Sequence, residues 1–160
     1  AIIDSLYPVI LQSFDNKKLF ERKNKQLYAI VFYVSVGVSL LFSLLASPIV
    51  SILYGDAYAP AAAPLRIITW YTSFSYLGVA RNAWVVSYSK QNYLKYLYIG
   101  ATITNVLLNA IMIPLWGASG AALASLLTQI STILLFPAVI KDLQPNVKLM
   151  IDAILLKDVF

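Results

Sequence analysis

Residues 104–130 read TNVLLNAIMIPLWGASGAALASLLTQI, and the turn in the middle of this stretch decides the fold. An apolar run approaches the turn and another leaves it, each with the roughly 20 residues that a helix needs to cross a bilayer. Pro114 is unfavourable inside a helix, and the LWGASG sequence permits a tight reversal. We therefore expect two transmembrane helices, at about 92–113 and 118–140, joined by a short connection.

Two further apolar segments precede this pair. Residues 27–54 carry no charge, and Gly55, Asp56 and a proline-containing loop follow them. Pro60 and Pro64 suit the first turn of the next helix, where a missing N–H does little harm. The segments do not alternate with period two, as barrel strands do. The predicted fold class is all-α, a polytopic membrane helix bundle with four transmembrane helices at about 27–54, 65–89, 92–113 and 118–140, plus a partial helix at each end.

The composition favours a membrane protein over a soluble domain. Hydrophobic residues make up 60% of the 160-residue chain and charged residues 12%, whereas soluble domains carry roughly 25% charged residues. The 11 tyrosines and three tryptophans suit membrane–water boundaries. A densely packed soluble helical core is the alternative, but the uncharged runs are too long for it.

Lysine and arginine occur in alternate connections. They lie in residues 15–26, 90–95 and 141–160, whereas the Gly55–Pro64 loop and LWGASG carry none. Because cytoplasmic loops are enriched in these residues, we expect residues 15–26, 90–95 and 141–160 to be cytoplasmic. The net charge of +5 does not indicate nucleic acid as a partner, because the basic residues are not gathered on one face.

The chain has no cysteine and no histidine, which excludes thiol chemistry and histidine-based zinc sites or triads within it. We expect no catalytic residues, no metal site and no cofactor, and hence no enzyme.

Both ends of the chain predict partial elements. Residues 1–14 are typical of the end of an earlier membrane helix, so we expect the chain to be part of something longer. Residues 146–160 predict a helix lying in the membrane interface, with the start of another span as the alternative. Its apolar stripe consists of Val147, Met150, Ile151, Ile154 and Leu155.

Small and polar residues form stripes on the predicted helices. Ser35, Ser39, Ser43, Ser47 and Ser51 favour close packing or the wall of a wet cavity, and the sequence leaves both open. In the fourth helix, Gly117, Gly120, Ala121 and Ala124 favour close packing. The stripe of the third helix contains Tyr98, Thr102, Asn105 and Asn109. Because amides are costly in lipid, this stripe should face protein or water.

Arg81 is the most informative charge. It precedes Lys90 by nine residues, about 13 Å along a helix, and Asn82 adjoins it. A buried arginine is costly in a bilayer, and guanidinium suits bidentate phosphate binding. Phosphate binding, snorkelling to the surface and a hydrogen bond to a neighbouring helix are the three interpretations. Arg66 is placed as an interfacial anchor.

Three stretches, SLYPVILQSFDNKKLFERKNKQLYAIVFYVSVGVSLL, LYGDAYAPAAAPLRIITW and TNVLLNAIMIPLWGASGAALASLLTQ, resemble the polysaccharide (O-antigen-type) flippases. This family belongs to the multidrug/oligosaccharidyl-lipid/polysaccharide (MOP) exporter superfamily. The third stretch is the most specific, with its Asn-rich helix, Ile-Pro, short Gly turn and Gly-Ala-Ala-x-Ala. The resemblance covers essentially the whole chain and places it in the carboxy-terminal portion of a two-lobed transporter.

The resemblance implies alternating access that moves an undecaprenyl-pyrophosphate-linked oligosaccharide across the bacterial inner membrane. The implied partners are the lipid bilayer, this substrate, the missing N-terminal lobe and, as a further candidate, a polysaccharide polymerase. Arg81 is the candidate contact for the pyrophosphate, and the other substrate-binding candidates are Asn82, Thr102, Asn105 and Asn109. A MATE-like drug exporter and a non-transporting membrane module of a polysaccharide-assembly complex are the alternatives.

Overall fold

A computed structural model describes residue 8 and residues 10–159, and this part of the chain is helical, without strands. Helix α1 spans Lys17–Tyr54, and a 3₁₀ turn at Asp56–Ala61 leads into α2, Ala62–Ser87. Helix α3, Asn92–Ile130, continues through a π-helical segment, Ser131–Leu135, into the short α4, Phe136–Val139. Helix α5 spans Gln144–Ile154.

Gly117 divides α3 into two antiparallel arms. Its φ of 54° and ψ of −132° lie outside the helical region, in a conformation open to glycine and strained for other residues. The chain folds back directly after this residue. This is seen in the close approach of the two arms, where a Cβ on Gly120 would lie 2.1 Å from the carbonyl oxygen of Met112. Gly100 likewise faces the ring of Phe136. The predicted reversal therefore occurs, and the turn is a single residue.

Pro114 does not end the third helix, contrary to expectation. The first arm runs on to residue 116, with Pro114 inside it. Proline withholds one backbone N–H, and this loss is tolerated so close to the end of the arm.

Helix α1 begins ten residues before the predicted start at residue 27. Asn16 caps it, because its side-chain oxygen accepts the N–H of Leu19 at 3.2 Å. The basic stretch that follows is thus helical, since lysine, arginine and glutamate are good helix formers. With 38 residues, α1 is about 57 Å long.

Helices α1 and α2 pack through small hydroxyl side chains. The Ser39 hydroxyl donates to the carbonyl oxygen of Thr69 at 2.7 Å and lies 3.0 Å from the Ser73 hydroxyl. Farther along, Ser47 accepts a hydrogen bond from Arg66 at 2.7 Å. Ser39 and Ser47 therefore pack against α2, as the packing interpretation expects, and none of the five serines in this row lines the cavity described below.

Helix α5 packs on the first half of α1. The buried amide of Asn146 donates to the Tyr28 hydroxyl at 2.6 Å, and the Tyr33 hydroxyl donates to the carbonyl oxygen of Ile154 at 2.7 Å. Val147 and Met150 are buried. The predicted helix at 146–160 is therefore shorter, and it uses part of its apolar stripe for protein packing, while Ile151 and Leu155 stay exposed.

The three basic connections meet at one end of the bundle. Lys25 lies 3.3 Å from the Asp152 carboxylate, and Lys90 donates to the carbonyl oxygen of Asp142 at 2.6 Å. The Tyr93 hydroxyl also donates to the Asp142 carboxylate. This hydrogen bond, with the charge of Lys90, holds the pKa of the Asp142 carboxyl below its ordinary value.

Two helical stretches of the described chain, Lys17–Tyr54 and Asn92–Val139, are long and apolar enough to cross a membrane. Large apolar side chains cover their outer faces, including Leu44, Ile52, Val106 and Ile111. The predicted end of an earlier helix at residues 1–14 falls largely outside the described residues. Of that range, residues 8 and 10–14 show a short helical stretch that gives way to turns.

Candidate functional site

A cavity of about 660 Å³ lies between α2, the two arms of α3 and the π-helical segment. Hydroxyl and amide side chains predominate among the residues that line it, although apolar atoms make up most of its exposed wall. The polar residues that line it are Tyr71, Ser75, Arg81, Asn82, Tyr98, Thr102, Asn105, Ser125, Thr128, Gln129 and Thr132.

Arg81 is the cation of this cavity and is only 1% exposed. Its Nη1 donates to the carbonyl oxygen of Thr132 at 2.9 Å, and its Nη2 donates to Oδ1 of Asn82 at 3.3 Å. Its Nε has no hydrogen-bond partner among the described residues. None of the described residues that line the cavity is acidic, so dipoles rather than a carboxylate balance the positive charge there.

The wall opposite α2 comes from the asparagine stripe of α3. Asn105 donates from Nδ2 to the hydroxyl of Thr128 on the returning arm at 3.4 Å. Asn109 lies one turn further along the same helix and donates from Nδ2 to Oδ1 of Asn105 at 2.9 Å. Thr102 bonds to the carbonyl oxygen of Tyr98 at 3.0 Å. The asparagines are thus paired with each other and across the hairpin, and Asn105 also faces the cavity.

Four of the five predicted substrate-binding residues line this one cavity: Arg81, Asn82, Thr102 and Asn105. Asn109 does not line it, and its contribution is to hold the Asn105 amide. Arg81 does not snorkel, since it is buried. The hydrogen bond to a neighbouring helix is present, and it coexists with a position in the cavity wall.

Several cavity residues were not singled out as site residues from the sequence. On α2, Tyr71, Ser75 and Gly78 lie at i, i+4 and i+7, and the predicted Asn82 continues the row at i+11, which is one face of a helix. This is the same spacing as that of the asparagine stripe, so the signal was present in the sequence. Gln129 and Thr128 complete the wall from the returning arm.

The site is chemically suited to a ligand that combines an anionic group with hydroxyl groups. Guanidinium binds oxyanions through several N–H donors in a plane. Hydroxyl and amide side chains both donate and accept hydrogen bonds, as sugar hydroxyls do. The absence of acidic side chains from the described lining removes the repulsion that an anion would otherwise meet.

Comparisons of this chain with models of known protein families, with curated proteins and with solved structures found no match.

Proposed function

We propose that this chain is one lobe of a membrane flippase that translocates undecaprenyl-pyrophosphate-linked oligosaccharide across the bacterial inner membrane by alternating access. The observation that carries the proposal is the cavity lined by hydroxyl and amide side chains, with buried Arg81 in its wall and no acidic residue among the described lining residues. The proposal involves binding and movement, without a covalent step.

In the proposed topology, α1, α2 and the two arms of the α3 hairpin each cross the membrane. All of the 12 lysines and arginines except Arg66 and Arg81 belong to residues 15–26, 90–95 and 141–160. Contacts such as Lys90 to Asp142 hold these connections at one end of the bundle. The positive-inside rule then assigns that end to the cytoplasm. The exposed apolar faces of the helices would contact lipid or the other lobe.

The cavity wall supports the assignment of the substrate. A lipid-linked pyrophosphate carries negative charge next to sugar hydroxyls. Arg81 supplies the positive charge for the former, and its buried Nε–H has no partner among the described residues. Asn82, Thr102 and Asn105 offer neutral hydrogen-bonding groups for the latter. A buried guanidinium with no acidic partner among the described lining residues repels cationic drugs, which makes a cationic-drug exporter the weaker candidate.

The test is oligosaccharide export in cells that depend on the protein containing this chain. We expect Arg81→Ala to reduce export by tenfold or more, since a hydrogen bond to a charged group contributes about 1.5–3 kcal/mol. Arg81→Lys should retain part of the activity because it keeps the charge but loses the planar donors. Arg66→Ala is the matched control, because Arg66 lies outside the cavity lining and its substitution should leave export near the wild-type level.

Wild-type export in both Arg81 variants would contradict the proposal. Efflux of cationic dyes without oligosaccharide export would instead assign a drug exporter. Stable binding to a polymerase, with neither kind of transport, would assign a non-transporting module of an assembly complex.

A further inference from the structure

The hydrogen-bond acceptor that holds Arg81 exists because of a local change of helix register. In the segment Ser131–Leu135 the backbone is π-helical, and the N–H of Phe136 bonds to the carbonyl oxygen of Ser131, five residues earlier. In an α-helix this N–H would bond to Thr132 instead. The π register thus withdraws the α-helical donor from the Thr132 carbonyl.

Pro137 withdraws the other backbone donor. In the π register the Thr132 carbonyl would accept the N–H of residue 137, but this residue is a proline and has no N–H. A buried carbonyl without a partner is costly. The Thr132 carbonyl is therefore left for a side chain, and Nη1 of Arg81 reaches it at 2.9 Å from α2, 51 residues away in sequence.

The same segment also sets how closely the two helices approach. Ile133 lies against Gly78, one turn before Arg81 on α2, and a Cβ on Gly78 would lie 2.6 Å from Cδ1 of Ile133. This close approach at Gly78 brings the Thr132 carbonyl within reach of the guanidinium.

From these contacts we infer that Pro137 is a positioning residue for the cavity cation. It lies outside the cavity lining and acts through the Thr132 carbonyl, which accepts a hydrogen bond from Nη1 of Arg81. The Arg81 Nε–H has no partner among the described residues. This inference rests on the proposed function for its biological meaning, whereas the contacts themselves can be tested without transport.

The decisive variant is Pro137→Ala. Alanine at this position supplies an N–H, which reaches the Thr132 carbonyl if the π register persists. If the segment reverts to an α-helix, the N–H of Phe136 reaches it instead. In both cases a backbone donor competes with Arg81. The variant should fold, because alanine is far more favourable than proline inside a helix.

The readout is the guanidinium NMR spectrum of the purified chain in lipid nanodiscs with ¹⁵N-labelled arginine. The chain has three arginines, Arg22, Arg66 and Arg81, so Arg81→Lys assigns the signal by its disappearance. We expect the Nη protons of Arg81 to exchange about tenfold faster or more in Pro137→Ala, which corresponds to the loss of a charge-assisted hydrogen bond.

Two controls isolate the cause. Pro114→Ala adds an N–H at an exposed proline of the same hairpin, outside the cavity lining, and should leave the Arg81 signal unchanged. Thr132→Val removes the hydroxyl and keeps the carbonyl, so the Arg81 Nη protons should remain slow to exchange. A Pro137→Ala spectrum identical to wild type would overturn the inference, as would equal acceleration in Pro114→Ala.

Export assays then separate this inference from the proposed function. If Pro137→Ala releases Arg81 and also lowers export, both hold. If it releases Arg81 in a protein that exports nothing in any form, the positioning role stands and the flippase assignment fails. If export depends on Arg81 but the exchange of its Nη protons is the same in wild type and Pro137→Ala, the function stands and the positioning role fails.

Discussion

Some glycines have a backbone conformation that alanine adopts without strain. Among these, Gly120→Ala should destabilise the α3 hairpin most. The new Cβ would lie 2.1 Å from the Met112 carbonyl oxygen and 2.6 Å from its carbonyl carbon. Ordinary contacts begin at 3.4 Å, so the two arms must separate by about 1.3 Å at this point. Because the obstacle is backbone, no side-chain rotation can relieve the contact.

The expected loss follows from two opposing effects. Overpacking costs about 1–3 kcal/mol, and a clash with backbone belongs at or above the upper end of that range. Alanine recovers about 1 kcal/mol through its better helix propensity. The net loss in the free energy of unfolding should therefore be roughly 2 kcal/mol, or about thirtyfold in the folding equilibrium.

The free energy of unfolding can be measured by titrating the chain in mild-detergent micelles with sodium dodecyl sulfate, followed by tryptophan fluorescence. Gly37→Ala is the matched control, since nothing lies within 4 Å of a Cβ at that position, and it should lose no stability. Spin labels at Leu107 and Leu127, both exposed, should report a larger separation of the arms in Gly120→Ala. Unchanged stability together with an unchanged distance would refute the close approach at Met112.

Two further predictions concern the basic end of the bundle. Tyr28→Phe leaves the buried Asn146 amide without its partner and should lower the free energy of unfolding by about 1–3 kcal/mol, measured in the same titration and as faster proteolysis of α5. Tyr33→Phe removes an exposed hydrogen bond and should lower it less. Equal losses of stability in the two variants would contradict the buried contact. Acidification should loosen the segment around residue 142: the pKa of Asp142 is lowered in the folded chain, so its contribution to stability is full above the ordinary pKa near 4 and disappears as the pH falls through the lowered value. The protection of this segment against hydrogen exchange, relative to the intrinsic rate at each pH, should fall only at such acid pH. In Asp142→Asn this protection should be low at every pH. A wild-type segment that loses protection near neutral pH would contradict the assignment to this carboxyl.

The sequence predicted the helix hairpin better than it predicted the bounds of the helices. LWGASG located the reversal because glycine tolerates the backbone angles that a one-residue turn needs. The start of α1 was misplaced because charge marks the limit of an apolar segment, not of a helix, and the side chains from Lys17 to Lys25 include good helix formers. The use of the α5 stripe was undecidable, since an apolar face packs equally well on lipid and on Tyr28.

The candidate site was predictable as a set of polar stripes but not as a network. Spacing alone placed Thr102 and Asn105 on one helical face. What it did not reveal was the partner of Arg81, because a main-chain carbonyl has no signature of its own in the sequence. Pro137 was the available clue, and its meaning depends on the π register of Ser131–Leu135, which was not evident from the sequence.

In the proposed topology, the one-residue turn at Gly117 constrains how the chain is inserted into the membrane. Because a one-residue turn leaves no linker between the two arms, the arms cannot enter the bilayer one after the other. In the proposed topology they therefore leave the translocon together as a hairpin. The Asn105 amide then meets Thr128 of the returning arm before it meets lipid, where an unpaired amide is costly. Lengthening this turn with a flexible insert should therefore impair membrane integration before it affects any property of the finished cavity.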